Sequence, residues 1–191
     1  MTSVDDISEL KLVALIVDHG DRKAMEKLYR MHVGALAALC SRYVVDADVV
    51  NDILQESFLK IFSSLPGFTH RGAGSLRAWM SRIVINESLK HLSHVSRFDS
   101  LPDDDRLVED MAVDQSSPDV MSIPLDVIQS AIMSLPVGYR TILNLYLFEN
   151  MSHKEIARML NIKENSSASQ YSRAKALLAK KLNDYKSRNY V

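Results

Sequence analysis

The sequence predicts an all-α protein in which two helical domains are joined by a flexible acidic linker. In nearly every patterned segment, apolar residues recur at helical spacing, and no convincing period-two alternation appears. Between residues 98 and 124 the pattern is lost, since this stretch has three prolines, many acids and few large apolar side chains. Such a segment buries too little surface to offset the entropy of ordering. We therefore expect domains at residues 1–97 and 125–191, with a linker at 98–124.

The helices of the first domain have recognisable starts and stops. The first apolar pattern stops at Gly20, and Asp21 can cap the helix that follows. Asp46 or Asp48 starts a third helix, which ends before a Pro-Gly pair. A loop with two glycines follows, after which Ser75 is predicted to cap a fourth helix. The first domain therefore reads as four helices.

The second domain contains a short helix followed closely by a longer one. Ser152 and Glu155 form a capping box, in which each residue can hydrogen-bond the other's backbone amide. Asn161 ends this helix, because asparagine tolerates the left-handed conformation. The next helix starts at Asn165 or Ser166. This is the pattern of a helix-turn-helix, whose second helix lies in the DNA major groove.

The second of these helices has one apolar side and one polar side. The predicted apolar side consists of Tyr171, Ala174, Leu178 and Leu182. The predicted polar side consists of Ser166, Ser169, Gln170 and Arg173. Serine, glutamine and arginine can hydrogen-bond bases and phosphates. The alternative, a helical hairpin with a solvated polar face, stays open on these residues alone.

Charge is distributed unevenly along the chain, although its net value is only −1. Residues 51–98 carry six Lys/Arg against three Asp/Glu, and residues 131–191 carry ten against four. Residues 99–130 carry one against nine. Two basic segments flanking an acidic one are typical of two nucleic-acid-facing units on a tether.

Two polar surfaces stand out on the helices of the first domain. Asp52, Gln55 and Glu56 face away from an apolar side that includes Phe58. A second stripe, at i, i+4 and i+8 on the fourth helix, consists of Arg82, Asn86 and Lys90. Trp79 and Ile83 are expected on the core side of that helix. On spacing alone, a solvated surface remains the simpler interpretation of Asp52, Gln55 and Glu56.

Several kinds of chemistry are not expected. The lone Cys40 rules out an internal disulfide and is predicted to be a buried, inert thiol. His91 and His94 have i, i+3 spacing but no nearby cysteine or carboxylate cluster, so we expect no metal site. No phosphate-binding loop, catalytic residue or cofactor motif is found. The acidic start resembles no signal peptide and no run could span a bilayer, which favours a cytoplasmic protein without membrane insertion.

Taken together, the two halves resemble the sigma-70 factors of RNA polymerase, specifically the extracytoplasmic-function (ECF) class. "AMEKLYRMH" (24–32), "DILQESFLKIF" (52–62) and "GSLRAWMSRIVINESLKHL" (74–92) are similar to the family's region 2. The segment from "SLPVGYRTIL" to "SRAKALL" (134–178) is similar to region 4. Region 3 has no counterpart, which marks the short class. The ordered combination of motifs carries the resemblance.

The resemblance implies a factor that binds core RNA polymerase, through its β′ and β subunits, and directs initiation at promoters with −10 and −35 elements. The surface on the β′ clamp helices would be Asp52, Gln55 and Glu56, with Phe58 below. The melted −10 strand would meet Arg77, Arg82, Asn86 and Lys90, in which the cations form a track and Asn86 lies beside the flipped-out base. The −35 contacts would come from Ser166, Ser169, Gln170, Arg173 and Lys175.

The resemblance also gives the linker a path through the RNA exit channel of the polymerase and allows an anti-sigma factor as a partner. One departure concerns the start of the recognition helix. Many family members have Gly-Thr-Val-Arg/Lys-Ser there, whereas this chain has Asn-Ser-Ser-Ala-Ser at 165–169 and Gln170 where arginine is common. The alternative function is a helix-turn-helix regulator that acts without polymerase.

Overall fold

The computed structural model describes residues 4–95 and 122–189, and within those ranges every regular element is helical. This confirms the predicted fold class. The chain divides into two compact units, Met1–Val95 and Ser96–Val191. The predicted linker lies outside the described residues except for its last three, among which Ile123 is buried. The domain boundaries stay a prediction.

Four α-helices and one 3-10 turn build the first unit. Two of these helices are capped as predicted, because Asp21 Oδ1 accepts from the Lys23 and Ala24 amides and Asp46 Oδ1 accepts from the Asp48 and Val49 amides. Each cap satisfies amides that would otherwise lack a partner at the helix start. The helices are α1 (Val4–His19), α2 (Arg22–Ser41), α3 (Ala47–Ser64) and α4 (Ser75–Val95), with the 3-10 turn at Leu65–Gly67.

The core of the first unit forms where α2, α3 and α4 pack against one another. Leu28, Ile61, Met80 and Val84 are all fully buried there. Cys40 is buried as predicted, and its Sγ lies 3.3 Å from Ser88 Oγ. Burial raises the pKa of this thiol, with the Ser88 hydrogen bond opposing the shift. Because α4 packs on two neighbours, most of its exposed residues lie along one narrow stripe of the helix.

The loop before α4 differs in detail from the prediction. Gly72 and Gly74 have positive φ angles of 108° and 76°, which L-residues rarely adopt. Ser75 is the first residue of α4, and its hydroxyl accepts from the Arg71 amide of the loop at 3.1 Å. The prediction that Ser75 caps α4 through its side chain is therefore wrong. The hydroxyl instead fixes the loop to the helix start.

The second unit contains four described helices: α5 (Leu125–Met133), α6 (Val137–Leu147), α7 (His153–Leu160) and α8 (Glu164–Asn189). Its core includes Leu135, Tyr139, Leu143 and Ala174, so α8 packs on α6 through the predicted apolar side. No helix in the described ranges is long and apolar enough to cross a membrane.

The helix-turn-helix geometry is present in α7 and α8. The capping box is complete, since Ser152 Oγ accepts from the Glu155 amide at 3.3 Å and the Ser152 amide donates to Glu155 Oε2 at 2.8 Å. Asn161 ends α7 with a φ of 54°, as predicted. After a three-residue turn, α8 begins at Glu164, slightly earlier than the predicted start.

Candidate nucleic-acid and protein interfaces

The outer face of α3 is polar, and its inner face is fixed in the core. Asp52, Gln55 and Glu56 are exposed. Phe58, predicted to lie below them, is 4% exposed and contacts Tyr29 at a ring-centroid distance of 4.5 Å. Two carboxylates are therefore presented on a rigid helix. Leu59, in the middle of this face, is 71% exposed and was not predicted as part of it. The signal for it in the sequence is that this leucine breaks the apolar period of the helix.

An ion pair joins α3 to α4 beside this face. Lys60, one turn after Glu56, lies with its Nζ 2.6 Å from Glu87 Oε1. The Glu87 side chain is 9% exposed, whereas that of Lys60 is 46% exposed. Within the described residues, Glu87 Oε2 has no hydrogen-bond partner. This pair was not predicted, since 27 positions separate the two residues along the chain.

The exposed stripe of α4 contains three of the four residues predicted for the −10 element. Arg82, Asn86 and Lys90 are all exposed and lie along one side of the helix. Trp79 and Ile83, expected in the core, are half-buried, and the Trp79 ring lies 5.3 Å from that of Phe68. The stripe therefore combines two cations and an amide with apolar side chains at its border.

Arg77 does not belong to this stripe. It is separated from Asn86 by nine residues, about two and a half helical turns, so the two lie on opposite sides of α4. Its charge instead reaches His32 of α2: burial first, and then Arg77, lower the pKa of His32. His32 Nε2 also lies 3.2 Å from Glu9 Oε1. Arg77 is exposed but lies away from Arg82 and Lys90 on the helix, and its contact with the −10 strand stays a prediction.

In the second unit, α8 exposes a polar face near its start. Ser169 and Lys175 are exposed, whereas Ser166 and Arg173 are half-buried at its edge. Two further members of this face, Asn165 and Ser172, are also exposed and were not predicted as DNA contacts. Once the buried side of α8 is known, helical spacing places both residues on the opposite, exposed side.

Gln170 is the predicted contact residue that the structure places differently. It is 9% exposed, and within the described chain its Oε1 accepts no hydrogen bond. Ser167 is fully buried nearby on the same side of α8. The prediction of Gln170 on the outer polar face is therefore wrong. The prediction relied on the polarity of the side chain, but the buried side of α8 also includes polar residues.

A cluster of rings and one hydroxyl joins α6, α7 and α8. His153 Nδ1 lies 3.0 Å from Ser167 Oγ, and its ring stacks on Tyr146 at 4.6 Å with an interplanar angle of 17°. Tyr171 lies 4.3 Å from Tyr146 and 5.7 Å from His153. Burial, and then Tyr146, raise the pKa of Tyr171. Lys175 Nζ is 5.8 Å from the Tyr171 ring centre.

The end of α6 presents an apolar surface. Tyr146, Leu147 and Phe148 are 36%, 46% and 49% exposed, and Met159 of α7 is 40% exposed. Contiguous exposed apolar residues of this kind mark interaction sites more often than isolated ones do.

Metal binding finds no support in the described part of the chain, where no group of three or more His, Cys, Asp or Glu residues could hold an ion. His91 is half-buried. The side chain of His94 lies outside the described residues.

Comparison with protein families matches both units. The model for sigma-70 region 2 matches residues 28–98, and that for sigma-70 region 4 matches residues 125–178. The first match includes α3 and α4, which bear the outer acidic face and the exposed stripe. The second includes the helix-turn-helix of α7 and α8.

Comparison with individual proteins gives relatives over most of the chain. The ECF RNA polymerase sigma factor SigM of Mycobacterium tuberculosis is 34% identical over 186 residues, covering 92% of this chain and 85% of the relative. The RNA polymerase sigma-H factor of Pseudomonas aeruginosa is 30% identical over 177 residues, covering 87% and 90%.

A solved structure of CnrH in complex with the cytosolic domain of CnrY is 24% identical, covers 91% of this chain and 96% of that chain, and has a TM-score of 0.48. The sequence relatives and both family models decide against a regulator that acts without polymerase. The chain belongs to the ECF class of sigma-70 factors, which bind RNA polymerase and promoter DNA, and it directs promoter-specific transcription initiation.

Proposed function

We propose that three surfaces of this sigma factor each bind a different partner during initiation. The outer face of α3 binds core polymerase, the exposed stripe of α4 holds the melted −10 strand, and the start of α8 reads the −35 element. The observation that carries this proposal is that each polar surface lies on a helix whose other side is buried. Contact residues are thereby presented on rigid elements.

The polymerase surface consists of Asp52, Gln55 and Glu56 around Leu59, and we assign it to the β′ subunit. Its two carboxylates favour a basic partner, and Leu59 supplies an apolar centre of the kind found in protein interfaces. Reversing one charge, in Asp52→Arg or Glu56→Arg, should weaken binding of core polymerase about tenfold or more, because like charges would then meet. Binding can be measured by fluorescence anisotropy of the labelled factor.

The matched control is Asp18→Arg, since Asp18 is an exposed acid on α1 outside this face. It should bind polymerase with unchanged affinity. An equal loss of affinity in the control and in both α3 variants would show a net-charge effect and remove the role given to this face.

Single-stranded −10 DNA is assigned to Arg82, Asn86 and Lys90. Two cations suit a phosphate backbone, and the half-buried Trp79 and Ile83 offer apolar walls for an unstacked base. Holoenzyme carrying Asn86→Ala or Lys90→Ala should bind a forked −10 oligonucleotide several-fold more weakly, whereas Lys11→Ala on α1 should not. The affinity for core polymerase should stay the same in all three. Full −10 binding by both α4 variants would refute this assignment.

Reading of the −35 element is assigned to the exposed face of α8. Asn165 and Ser169 lie in its first two turns, where recognition helices contact base edges, while Arg173 and Lys175 suit phosphates. Ser166 lies at the edge of the same face. Lys175→Ala should lower affinity on all promoters and reduce the salt dependence, whereas Ser169→Ala should change the base preference. An unchanged profile in both would refute the assignment.

Two further partners and the path of the linker complete the proposal. The apolar end of α6, with Leu147 and Phe148, fits a contact with the β subunit. Phe148→Ser should weaken this contact, whereas Leu125→Ser, at an exposed control position on α5, should not.

The acidic linker would follow the RNA exit path of the polymerase, where its charge mimics nucleic acid. An anti-sigma factor is a partner implied by the family resemblance. The factor acts by binding, in the cytoplasm with the polymerase, and bond formation belongs to that enzyme.

A further inference from the structure

We propose that His153 is a positioning residue for the recognition helix α8, and that it acts through its hydrogen bond to the buried Ser167. This inference rests on the proposed −35 role of α8. It concerns a side chain that is not on the exposed face of that helix. His153 is the first residue of α7 and reaches the first turn of α8 across the helix-turn-helix.

Ser167 is buried and has its hydroxyl within hydrogen-bonding distance of His153. It is 0% exposed, and its hydroxyl lies 3.0 Å from His153 Nδ1. A buried hydroxyl requires a partner, and His153 supplies it. Ser167 lies in the first turn of the recognition helix, so its contact with His153 is a directional polar one at the base of that helix.

The ring of His153 is itself held from two sides. It stacks nearly parallel on Tyr146 of α6 and lies 5.7 Å from Tyr171 of α8. These contacts fix the plane of the imidazole, so the direction of its hydrogen bond to Ser167 is fixed too. Stacking alone would allow the rings to slide. The hydrogen bond sets the rotation and depth of the first turns of α8.

The residues that face DNA depend on this setting. Ser167 lies between Ser166 and Ala168 in the first turns, so a rotation of α8 there would move Asn165 and Ser169 together. At the other end of the cluster, Tyr171 lies beneath Lys175, whose Nζ is 5.8 Å from the ring centre. A binding constellation tolerates displacements of only about 0.5 Å. Loss of the hydrogen bond should therefore lower selectivity for the −35 element more than it lowers binding to polymerase.

The test uses full-length protein assembled with core polymerase. A promoter is first selected by this holoenzyme from a random library. The measured quantity is the −35 selectivity, defined as the affinity for the selected promoter divided by that for the same promoter with a scrambled −35 element. His153→Phe keeps the ring but removes the hydrogen bond. His153→Gln removes the ring but can still bond Ser167. Ser167→Ala removes the hydroxyl.

The −35 selectivity should fall roughly five- to tenfold in His153→Phe and in Ser167→Ala, as expected for one lost hydrogen bond. The double variant should lose no more than either single variant, because both remove the same contact. His153→Gln should retain most of the selectivity. The affinity for core polymerase should be unchanged throughout, and His19→Phe, at an exposed histidine of α1, should have no effect.

Two results would overturn the inference. The first is unchanged −35 selectivity in both His153→Phe and Ser167→Ala. The second is a loss of selectivity in His153→Gln with none in His153→Phe, because ring packing without the hydrogen bond would then explain the role of His153. If circular dichroism shows that His153→Phe has lost helical content, the selectivity of Ser167→Ala decides the test, because that substitution is smaller. A wild-type selectivity of one would instead refute the −35 role of α8 itself, and this inference would fall with it.

Discussion

Replacing Lys60 by methionine should destabilise the first unit much more than replacing its partner Glu87 by glutamine. The Glu87 side chain is 9% exposed, and one of its oxygens already lacks a hydrogen-bond partner within the described residues. Lys60→Met would leave this buried carboxylate without its cation. Removing one partner of a fully buried pair costs about 3–5 kcal/mol. Because Lys60 is 46% exposed, we expect about 2–3 kcal/mol.

Glu87→Gln has a smaller expected effect, about 0.5–1 kcal/mol, because the freed Lys60 can be hydrated by solvent. The double variant should lose less than the sum of the two single variants, since its amide no longer needs a cation. The free energy of unfolding can be measured by urea titration. Trp79 is the single tryptophan of the chain and lies on α4, so its fluorescence reports on the first unit alone.

Equal losses in the two single variants, or a loss below about 0.5 kcal/mol for Lys60→Met, would refute the reasoning from buried charge. Lys27→Met is the matched control, because Lys27 is exposed on α2. It should leave the stability of the first unit nearly unchanged.

Three further results are expected. Burial and Arg77 lower the pKa of His32 below 6.5. As pH falls through 6.5 the unfolded chain therefore binds the proton before the folded protein does, and the free energy of unfolding of the first unit, followed by tryptophan fluorescence, should fall. His32→Gln should flatten this pH dependence. Cys40, buried with a raised pKa, should react with a thiol reagent only after urea unfolding, and rapid labelling of the native protein would contradict this. Asn161→Gly should be nearly neutral, whereas Asn161→Ala should destabilise the second unit by about 1 kcal/mol in hydrogen exchange, because φ is 54° there; equal effects would argue against strain.

Local rules predicted the helix ends well where one residue acts on its own backbone. The cap at Asp21, the capping box at Ser152 and the left-handed end at Asn161 were predicted, and the structure confirms them. Of the two predicted starts of α3, Asp46 and Asp48, the structure selects Asp46. Ser75 was an exception, because its hydroxyl bonds to the preceding loop and not to the helix that it begins. A capping residue has several amides within reach, and the loop geometry decides among them.

The surfaces show the same division between local and tertiary information. Asp52, Gln55 and Glu56 were predicted as an outer face and are exposed, since the apolar residues of α3 other than Leu59 recur at helical spacing. Gln170 was misplaced, because residue type indicated contact with DNA while packing turned its side chain inward. Arg77 is exposed as a DNA contact would require, but helical geometry separates it from the stripe. The predicted roles of these surfaces stay predictions until binding is measured.

By itself the sequence determined the helical class, the main helix ends and the family, because these depend on periodicity, capping and ordered motifs that are read along the chain. Only the tertiary structure decided which polar residues are buried and which distant residues meet. The Lys60–Glu87 pair and the His153–Ser167 contact join different helices. Such contacts depend on how helices pack in space, and neither spacing nor residue type along the chain specifies that packing.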